Sequence, residues 1–154
     1  MNTFVLDSNR FLILDGATGS NLMAAGMPSG ICVEQWILEN PGVLQNLQKE
    51  FISAGTAVLT APTFGANPQK LSSYGLQSQT RELNQKLVAL SKEVSSGLVA
   101  GDVSPTGLFT EPMGTATFDD LLAVYDAQIS VLKEAGVNLV LIETQMTLAD
   151  ARAA

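Results

Sequence analysis

The chain has 154 residues, 46% of them hydrophobic, with a formal net charge of -7 and a pI near 4.3. This length and composition predict one folded domain with its own core, and the acidic charge argues against a nucleic-acid partner, which would need a basic surface. The chain has no histidine and one cysteine, which excludes Ser-His-Asp and Cys-His catalysis and a typical structural zinc site made by this chain alone.

The same features bear on the cellular setting. No N-terminal segment combines basic residues with a long apolar stretch, so we expect no secretory signal. No apolar run is long enough to span a bilayer, and we therefore expect no membrane partner. A single cysteine fits a reducing compartment, and the sequence predicts a cytoplasmic protein.

Four short, nearly continuous apolar segments are predicted to be β-strands, spaced roughly forty residues apart. They begin near Phe11, Thr56, Leu98 and Val137. Between them, apolar residues recur with helical spacing. The predicted helices cover residues 42–54, 80–95 and 117–135, and residues 146–154 look like the first turns of a fourth helix.

The alternation of strands and helices predicts an α/β fold with a parallel sheet, because connections between parallel strands pass through helices. A TIM-type (β/α) barrel has eight such units in about 250 residues. We therefore predict the first four units of a parallel barrel, a half barrel, with residues 1–154 forming one domain without an internal boundary. An open, flavodoxin-like sheet is the alternative, although that fold expects a phosphate-binding loop that the sequence does not supply.

Acidic residues follow three of the predicted strands at the point where each strand ends. Asp15, Asp102 and Glu143 are far apart in the sequence, but the carboxyl ends of parallel strands lie on one face of the sheet. The remaining strand, which begins near Thr56, leads into the polar segment 63–67. These residues are therefore predicted to meet in one pocket.

The first two of these loops could bind a polar ligand or could be plain turns. Gly16 would let a ligand approach the backbone, and Asp15 could accept hydrogen bonds from an ammonium or hydroxyl group; Thr18 lies in the same turn. The loop that contains Thr63 and Phe64 offers hydroxyl, amide and backbone N–H groups that could hold a carboxylate. A structural turn explains either loop as well.

The remaining candidates differ in how strongly they indicate a site. Asp102 lies among turn-forming residues and could serve only to stabilise its turn. Glu143 follows an apolar strand, which favours a functional role at a dry barrel mouth, where a carboxylate needs a partner or its pKa rises. Cys32 is interpreted as a small packed hydrophobic residue rather than a ligand, and Trp36 as core or lid.

Together, these loops resemble the homocysteine-binding barrel of the homocysteine S-methyltransferases, a family that includes the N-terminal domain of cobalamin-dependent methionine synthase and betaine–homocysteine methyltransferase. The resemblance covers nearly the whole chain in the right order. The matching stretches are Leu-Asp-Gly-Ala-Thr-Gly at 14–19, Glu-Asn-Pro at 39–41, Ala-Gly at 54–55, Thr-Phe-Gly-Ala-Asn at 63–67 with Lys-Leu at 70–71, Gly-Asp at 101–102 and Glu-Thr at 143–144.

The resemblance implies an S-methyltransferase that forms methionine by methyl transfer to a zinc-activated homocysteine thiolate. Its partners would be homocysteine and a methyl donor, which is a methylcorrinoid, carried by a protein or domain, or another methylated compound. Carried over by position, Asp15 and Glu143 would hold the α-ammonium group, and Gly16 with the loop of Thr63 and Phe64 would lie near the carboxylate. Thr18 and Asp102 are further pocket candidates.

The sequence departs from the family at the metal site. The zinc ligands of the family are three cysteines in the second half of the barrel, and Cys32 matches none of them. We therefore expect no metal ligand and no catalytic residue in this half. The 154-residue chain alone should be inactive, and it would need the remainder of the barrel or self-association. Family members also differ at Asp102, and Pro62 departs from the expected loop pattern.

A second hypothesis is a non-catalytic half barrel that binds an amino acid or another small molecule and pairs with itself or with a partner chain. Four strands would leave two open edges and an apolar face that water does not favour.

Overall fold

A computed structural model describes residues 11–154, so the N-terminal segment inspected for a secretory signal lies outside the described part of the chain. The helices are α1 (Gly19–Ala24), α2 (Val33–Glu39), α3 (Pro41–Ser53), α4 (Pro68–Ser72), α5 (Thr80–Val94), α6 (Phe118–Ala135) and α7 (Leu148–Ala153). The strands are β1 (Val58–Ala61), β2 (Leu98–Val103) and β3 (Leu139–Ile142), and a 3₁₀ turn spans Gln77–Gln79.

The described strands form one parallel sheet in the order β1-β2-β3. In the register of this sheet, Val58 lies beside Leu98 and Gly101 lies beside Val140. Each connection between neighbouring strands contains a long helix, as the alternating pattern predicts. The α/β class and the parallel sheet are therefore confirmed.

The first predicted strand is wrong as an extended strand. Leu14 makes one isolated parallel bridge to Val58, and Ala57 N–H donates to the carbonyl of Ile13 at 2.8 Å. Phe11 is 99% exposed, so the apolar residue that suggested a buried strand start packs against little. A single bridge still places Asp15 beside the end of β1, which is what the site requires.

The long helices agree with the sequence pattern within one or two residues, and the start of a fourth helix is confirmed as α7. Three short helices were not predicted, since α1, α2 and α4 have six, seven and five residues, too few to show a helical period. Thr117 caps α6: its hydroxyl accepts from Asp120 N–H and the Asp120 carboxylate accepts from Thr117 N–H.

The hydrophobic core lies between the sheet and the long helices. One cluster joins the sheet to α5 and α6, and it contains Ala61, Val88, Val99, Val103, Leu121, Tyr125 and Leu132. A second cluster lies under α1, α2 and α3, and it contains Leu22, Met27, Ile37, Leu44, Ala66 and Leu87. Among residues 11–154, no helix has the length and apolar character needed to cross a membrane.

The pleat of β2 decides which of its side chains reach the site. A side chain at Gly101 would contact Leu132 of α6 at 2.9 Å, so this position faces the core. Because side chains alternate along a strand, Asp102 points to the opposite face, where the pocket lies.

Candidate functional site

A pocket of about 590 Å³ opens at the carboxyl end of the sheet, within the size range of small-molecule sites. Six of the seven predicted site residues line it: Asp15, Gly16, Thr18, Phe64, Asp102 and Glu143. The parallel sheet thus brings together acids that are separated by 87 and 41 positions in the sequence (102 - 15 and 143 - 102).

Asp15 is held in place by Thr60 at the end of β1. Its two carboxylate oxygens accept from Thr60 N–H at 2.8 Å and from the Thr60 hydroxyl at 2.6 Å. Burial raises the pKa of Asp15, while the bonds from Thr60 act in the opposite direction. The carboxylate is therefore fixed in orientation before any ligand arrives.

Asp102 is the most enclosed of the three acids, with 6% of its surface exposed. Its Oδ1 atom has no hydrogen-bond partner within the described chain. Burial raises the pKa of Asp102 to about 7, with a further contribution from the negative charge of Glu143. A carboxyl group in this setting readily carries a proton near neutral pH.

Glu143 differs from its predicted setting because its side chain is exposed. It follows the last residue of β3, and its backbone N–H continues the ladder by donating to the carbonyl of Val103 at 3.1 Å. The next residue, Thr144, also lines the pocket and has φ of 57°, which is strained for a β-branched residue. Such strain concentrates at ligand-binding positions.

Thr63 is placed beneath the pocket rather than on its wall. It is fully buried, and its hydroxyl donates to the carbonyl of Asp102 at 2.8 Å and accepts from the Asp102 N–H at 2.9 Å. The side chain therefore ties the loop after β1 to the end of β2. Phe64, the next residue, is the one that reaches the pocket, with the Lys70 ammonium 4.6 Å from its ring centre.

Two pocket residues, Glu34 and Thr60, were not singled out from the sequence. Glu34 is 7% exposed, lines the pocket, and accepts from Gly65 N–H at 2.8 Å. The available signal was an acid on the apolar side of a short helix that starts at Val33. Burial of that carboxylate requires a donor, which here is a backbone group distant in sequence.

The contact between Gly65 and Glu34 predicts that a side chain at position 65 destabilises the fold. A Cβ atom at position 65 would lie 2.5 Å from Glu34 Oε1, too close for the existing hydrogen bond to survive. We expect Gly65→Ala to lower the free energy of unfolding by about 1–3 kcal/mol. Gly42→Ala is the matched control, since a Cβ there meets nothing within 4 Å. Urea unfolding of both variants checks this, and equal stability would contradict it.

Comparison with known proteins identifies the family of this chain. A family model described as homocysteine S-methyltransferase matches residues 12–154, which is most of the chain. The chain belongs to the homocysteine S-methyltransferase family. Relatives of this family member include methionine synthase of Mycobacterium tuberculosis, 27% identical over 169 aligned residues that cover 99% of the chain and 14% of the relative. Methionine synthase of Mycobacterium leprae is 25% identical, covering 96% and 13% respectively.

Solved structures show that this homocysteine S-methyltransferase family member has an α/β fold similar to that of a homocysteine methyltransferase. The metallated form of the homocysteine methyltransferase MmuM from Escherichia coli superposes with a TM-score of 0.79 at 23% identity, covering 92% of the chain and 57% of MmuM. The apo form gives a TM-score of 0.66 at 24% identity, covering 92% and 51%. The chain thus spans about half the length of these structures and about a seventh of the two synthases.

The residues of this family member do not fit a zinc ion. Cys32, its one cysteine, is packed with Leu71 and Leu83 in a small hydrophobic cluster, and it has no place on the pocket wall. Within residues 11–154, no group of three or more cysteine, aspartate or glutamate side chains is arranged to hold a metal.

Proposed function

We propose that this chain is the amino-acid-binding half of a homocysteine S-methyltransferase, with residues 1–154 forming the first four units of a TIM-type barrel. The observation that carries the proposal is the convergence of Asp15, Asp102 and Glu143 on one pocket at the carboxyl end of a parallel sheet. Family membership supplies the reaction class. The remainder of the barrel, or a second copy, would cover the open side of the sheet.

In this proposal the α-ammonium group of homocysteine is held by Asp15 and Glu143. Asp15 is suited to the role because Thr60 fixes its carboxylate. Gly16 lets the ligand approach the protein backbone closely. Its lack of a side chain also leaves room for Phe51, which a Cβ atom at this position would meet at 3.0 Å. In this proposal the carboxylates bind the cationic ammonium group. A carboxylate that is already held in position loses little further conformational freedom when the ligand binds.

The substrate carboxylate is assigned to the loop that contains Thr63 and Phe64. Three side chains hold the backbone of this loop: Glu34 accepts from Gly65 N–H, Gln128 donates to the carbonyl of Thr63, and Asn84 donates to the carbonyl of Ala66. In addition, the Thr63 hydroxyl donates to the carbonyl of Asp102. Thr63 thus supports the loop, while Phe64 and Thr18 bound the ligand space. The N–H groups of Thr63, Gly65 and Ala66 already donate within the chain, so the carboxylate is assigned to the N–H of Phe64, which the rigid loop holds in a fixed direction.

The methyl-transfer step is not assigned to residues of this chain. Zinc, held by cysteines beyond Ala154 as the family resemblance implies, would lower the pKa of the substrate thiol and so supply a thiolate at neutral pH. A methylcorrinoid or another methylated compound would donate the methyl group. The described residues bind and orient the amino-acid end of the substrate, which leaves its sulfur free to face the other half of the barrel.

Titration calorimetry with L-homocysteine tests the proposal, with D-homocysteine as the control for stereospecific recognition. We expect binding of the L-form and no methionine formation by the 154-residue chain supplied with methylcobalamin. Failure to bind L-homocysteine would overturn the substrate assignment. Robust methionine formation by this chain alone would overturn the assignment of thiol activation to residues elsewhere.

A further inference from the structure

The buried carboxyl group of Asp102 can accept more hydrogen bonds than the fold supplies. Its backbone N–H and carbonyl are both bonded to the Thr63 hydroxyl, so the neighbouring loop is held by main-chain groups of Asp102 and not by its side chain. Its Oδ1 atom has no hydrogen-bond partner in the described structure, although only 6% of the surface of the residue is exposed. An unpaired buried acceptor costs free energy, which a ligand could recover.

The charges that face Asp102 are mostly negative. Glu143 on the segment after β3, Asp15 on the segment beside β1 and Glu34 of α2 all line the same pocket. Lys70 of α4 is a nearby cation, but its ammonium donates to the Ser104 hydroxyl at 2.8 Å and lies over Phe64. No lysine or arginine occurs among the described residues of the pocket wall. The empty pocket therefore repels anions and favours a cation.

The geometry suits one kind of cation. A primary ammonium group has three N–H donors, and an ionised carboxylate only accepts hydrogen bonds, so three carboxylates can take one donor each. Quaternary or acylated amines cannot make this set of bonds. Asp102 ends β2, Glu143 follows β3 and Asp15 lies beside β1, and all three line one pocket at this edge of the sheet.

We propose that Asp102 is a third substrate-contacting carboxylate, which makes a free primary ammonium obligatory in the ligand and gives up a proton when that ammonium binds. The inference rests on the proposed function. Before binding, Asp102 holds a proton, because burial and the negative charge of Glu143 disfavour its ionised form. When the ammonium enters, this proton leaves to solvent and the ligand cation replaces it as the neutralising charge.

The surroundings of Asp102 favour this direction of exchange. Burial and the charge of Glu143 raise the pKa of Asp102 to about 7, so the proton is present in the empty pocket at pH 6. An ammonium ion beside the carboxylate lowers its pKa again. Ligand affinity should therefore increase as the pH rises from 6 towards 7.5, and proton release should be greatest at the lower pH.

Titration calorimetry at pH 6 and pH 7.5, in buffers of different ionisation enthalpy, tests the inference with L-homocysteine, L-methionine and N-acetyl-L-homocysteine. L-methionine has no thiol, so a proton released on its binding comes from the protein. For the unaltered chain we expect up to one proton released at pH 6 and no measurable binding of the acetylated compound. Asp102→Asn should bind L-homocysteine about tenfold more weakly and release no proton.

Two further variants keep the outcome clear. Asp126→Asn, an exposed acid on α6, makes the same change of charge outside the pocket and should behave as the unaltered chain. Asp102→Ala replaces Asp102→Asn if the latter does not fold. If the unaltered chain binds L-homocysteine but Asp102→Asn retains the affinity and the proton release, the role of Asp102 is overturned and the proposed function stands. If the unaltered chain binds no L-homocysteine, both are overturned.

Discussion

Between about pH 5.5 and pH 8 the free energy of unfolding should decrease with rising pH, and Asp102→Asn should remove much of this decrease. The folded-state pKa of Asp102 is raised to about 7 by burial and by Glu143, above the value of about 3.9 for an unfolded chain. The folded form thus binds the proton more tightly. The resulting stabilisation is complete below the unfolded pKa and is lost as the pH rises through the folded pKa.

The expected size of the effect follows from the linkage relation. Raising the pKa of Asp102 from about 3.9 to about 7 corresponds to about 4 kcal/mol in all, of which about 2 kcal/mol falls between pH 5.5 and pH 7. Because the carboxyl group borders an open pocket, we expect about 1 kcal/mol in this range. Asp102→Asn carries no titrating proton, so the variant should be more stable than the unaltered chain at pH 8, while binding the ligand more weakly. Stability lost to an acid in a pocket is a common cost of function.

Urea unfolding at four pH values from 5.5 to 8 measures this, above the pI of about 4.3. Asp126→Asn again serves as the control for a simple change of net charge. Asp15, whose pKa is also raised by burial, contributes to the pH dependence of both proteins and cancels in the difference between them. Parallel curves for Asp102→Asn and the unaltered chain would contradict the assignment.

Glu143→Gln should weaken L-homocysteine binding by about 10- to 100-fold with little change in stability. A hydrogen bond to a charged group contributes about 1.5–3 kcal/mol, and glutamine retains the shape of glutamate without its charge. The fold should tolerate the change because the side chain is exposed and the structural bond of residue 143 to Val103 is made by the backbone.

The matched control is Glu50→Gln, an exposed glutamate of α3 outside the acidic pocket. Calorimetric titration of both variants with L-homocysteine, together with their urea unfolding curves, separates binding from stability. Unchanged affinity in Glu143→Gln would remove Glu143 from the substrate site. The same variant should also reduce the pH dependence of stability, because the charge of Glu143 is one cause of the raised pKa of Asp102.

Much of the fold is readable from the sequence because long helices and buried parallel strands leave periodic patterns. The apolar spacing in α5 and α6 is sustained over 15 and 18 residues, and their predicted bounds agree closely with the structure. Short elements leave no such pattern, which is why α1, α2 and α4 were not predicted. The apolar segment at Phe11 looked like a strand, yet pairing depends on a neighbour, and only Leu14 finds one.

The candidate site, like the fold, could be predicted from the sequence only in part. The sequence by itself determined that acids follow the strands, and the parallel topology then requires Asp15, Asp102 and Glu143 to share an edge. Family motifs in the loops supported the same grouping, and the family model covers all of them. No histidine and one cysteine limited the chemistry that the chain can perform alone.

Only the tertiary structure decided how each residue of the site is used. Thr63 is buried against the backbone of Asp102, Glu34 reaches across 31 positions to Gly65, and Glu143 is exposed while Asp102 is enclosed. Burial, and with it the pKa of a carboxyl group, depends on what packs around the residue from distant parts of the chain. The local sequence gives the type of each residue and the periodicity of each helix and strand. It does not show which distant residues pack around a given side chain.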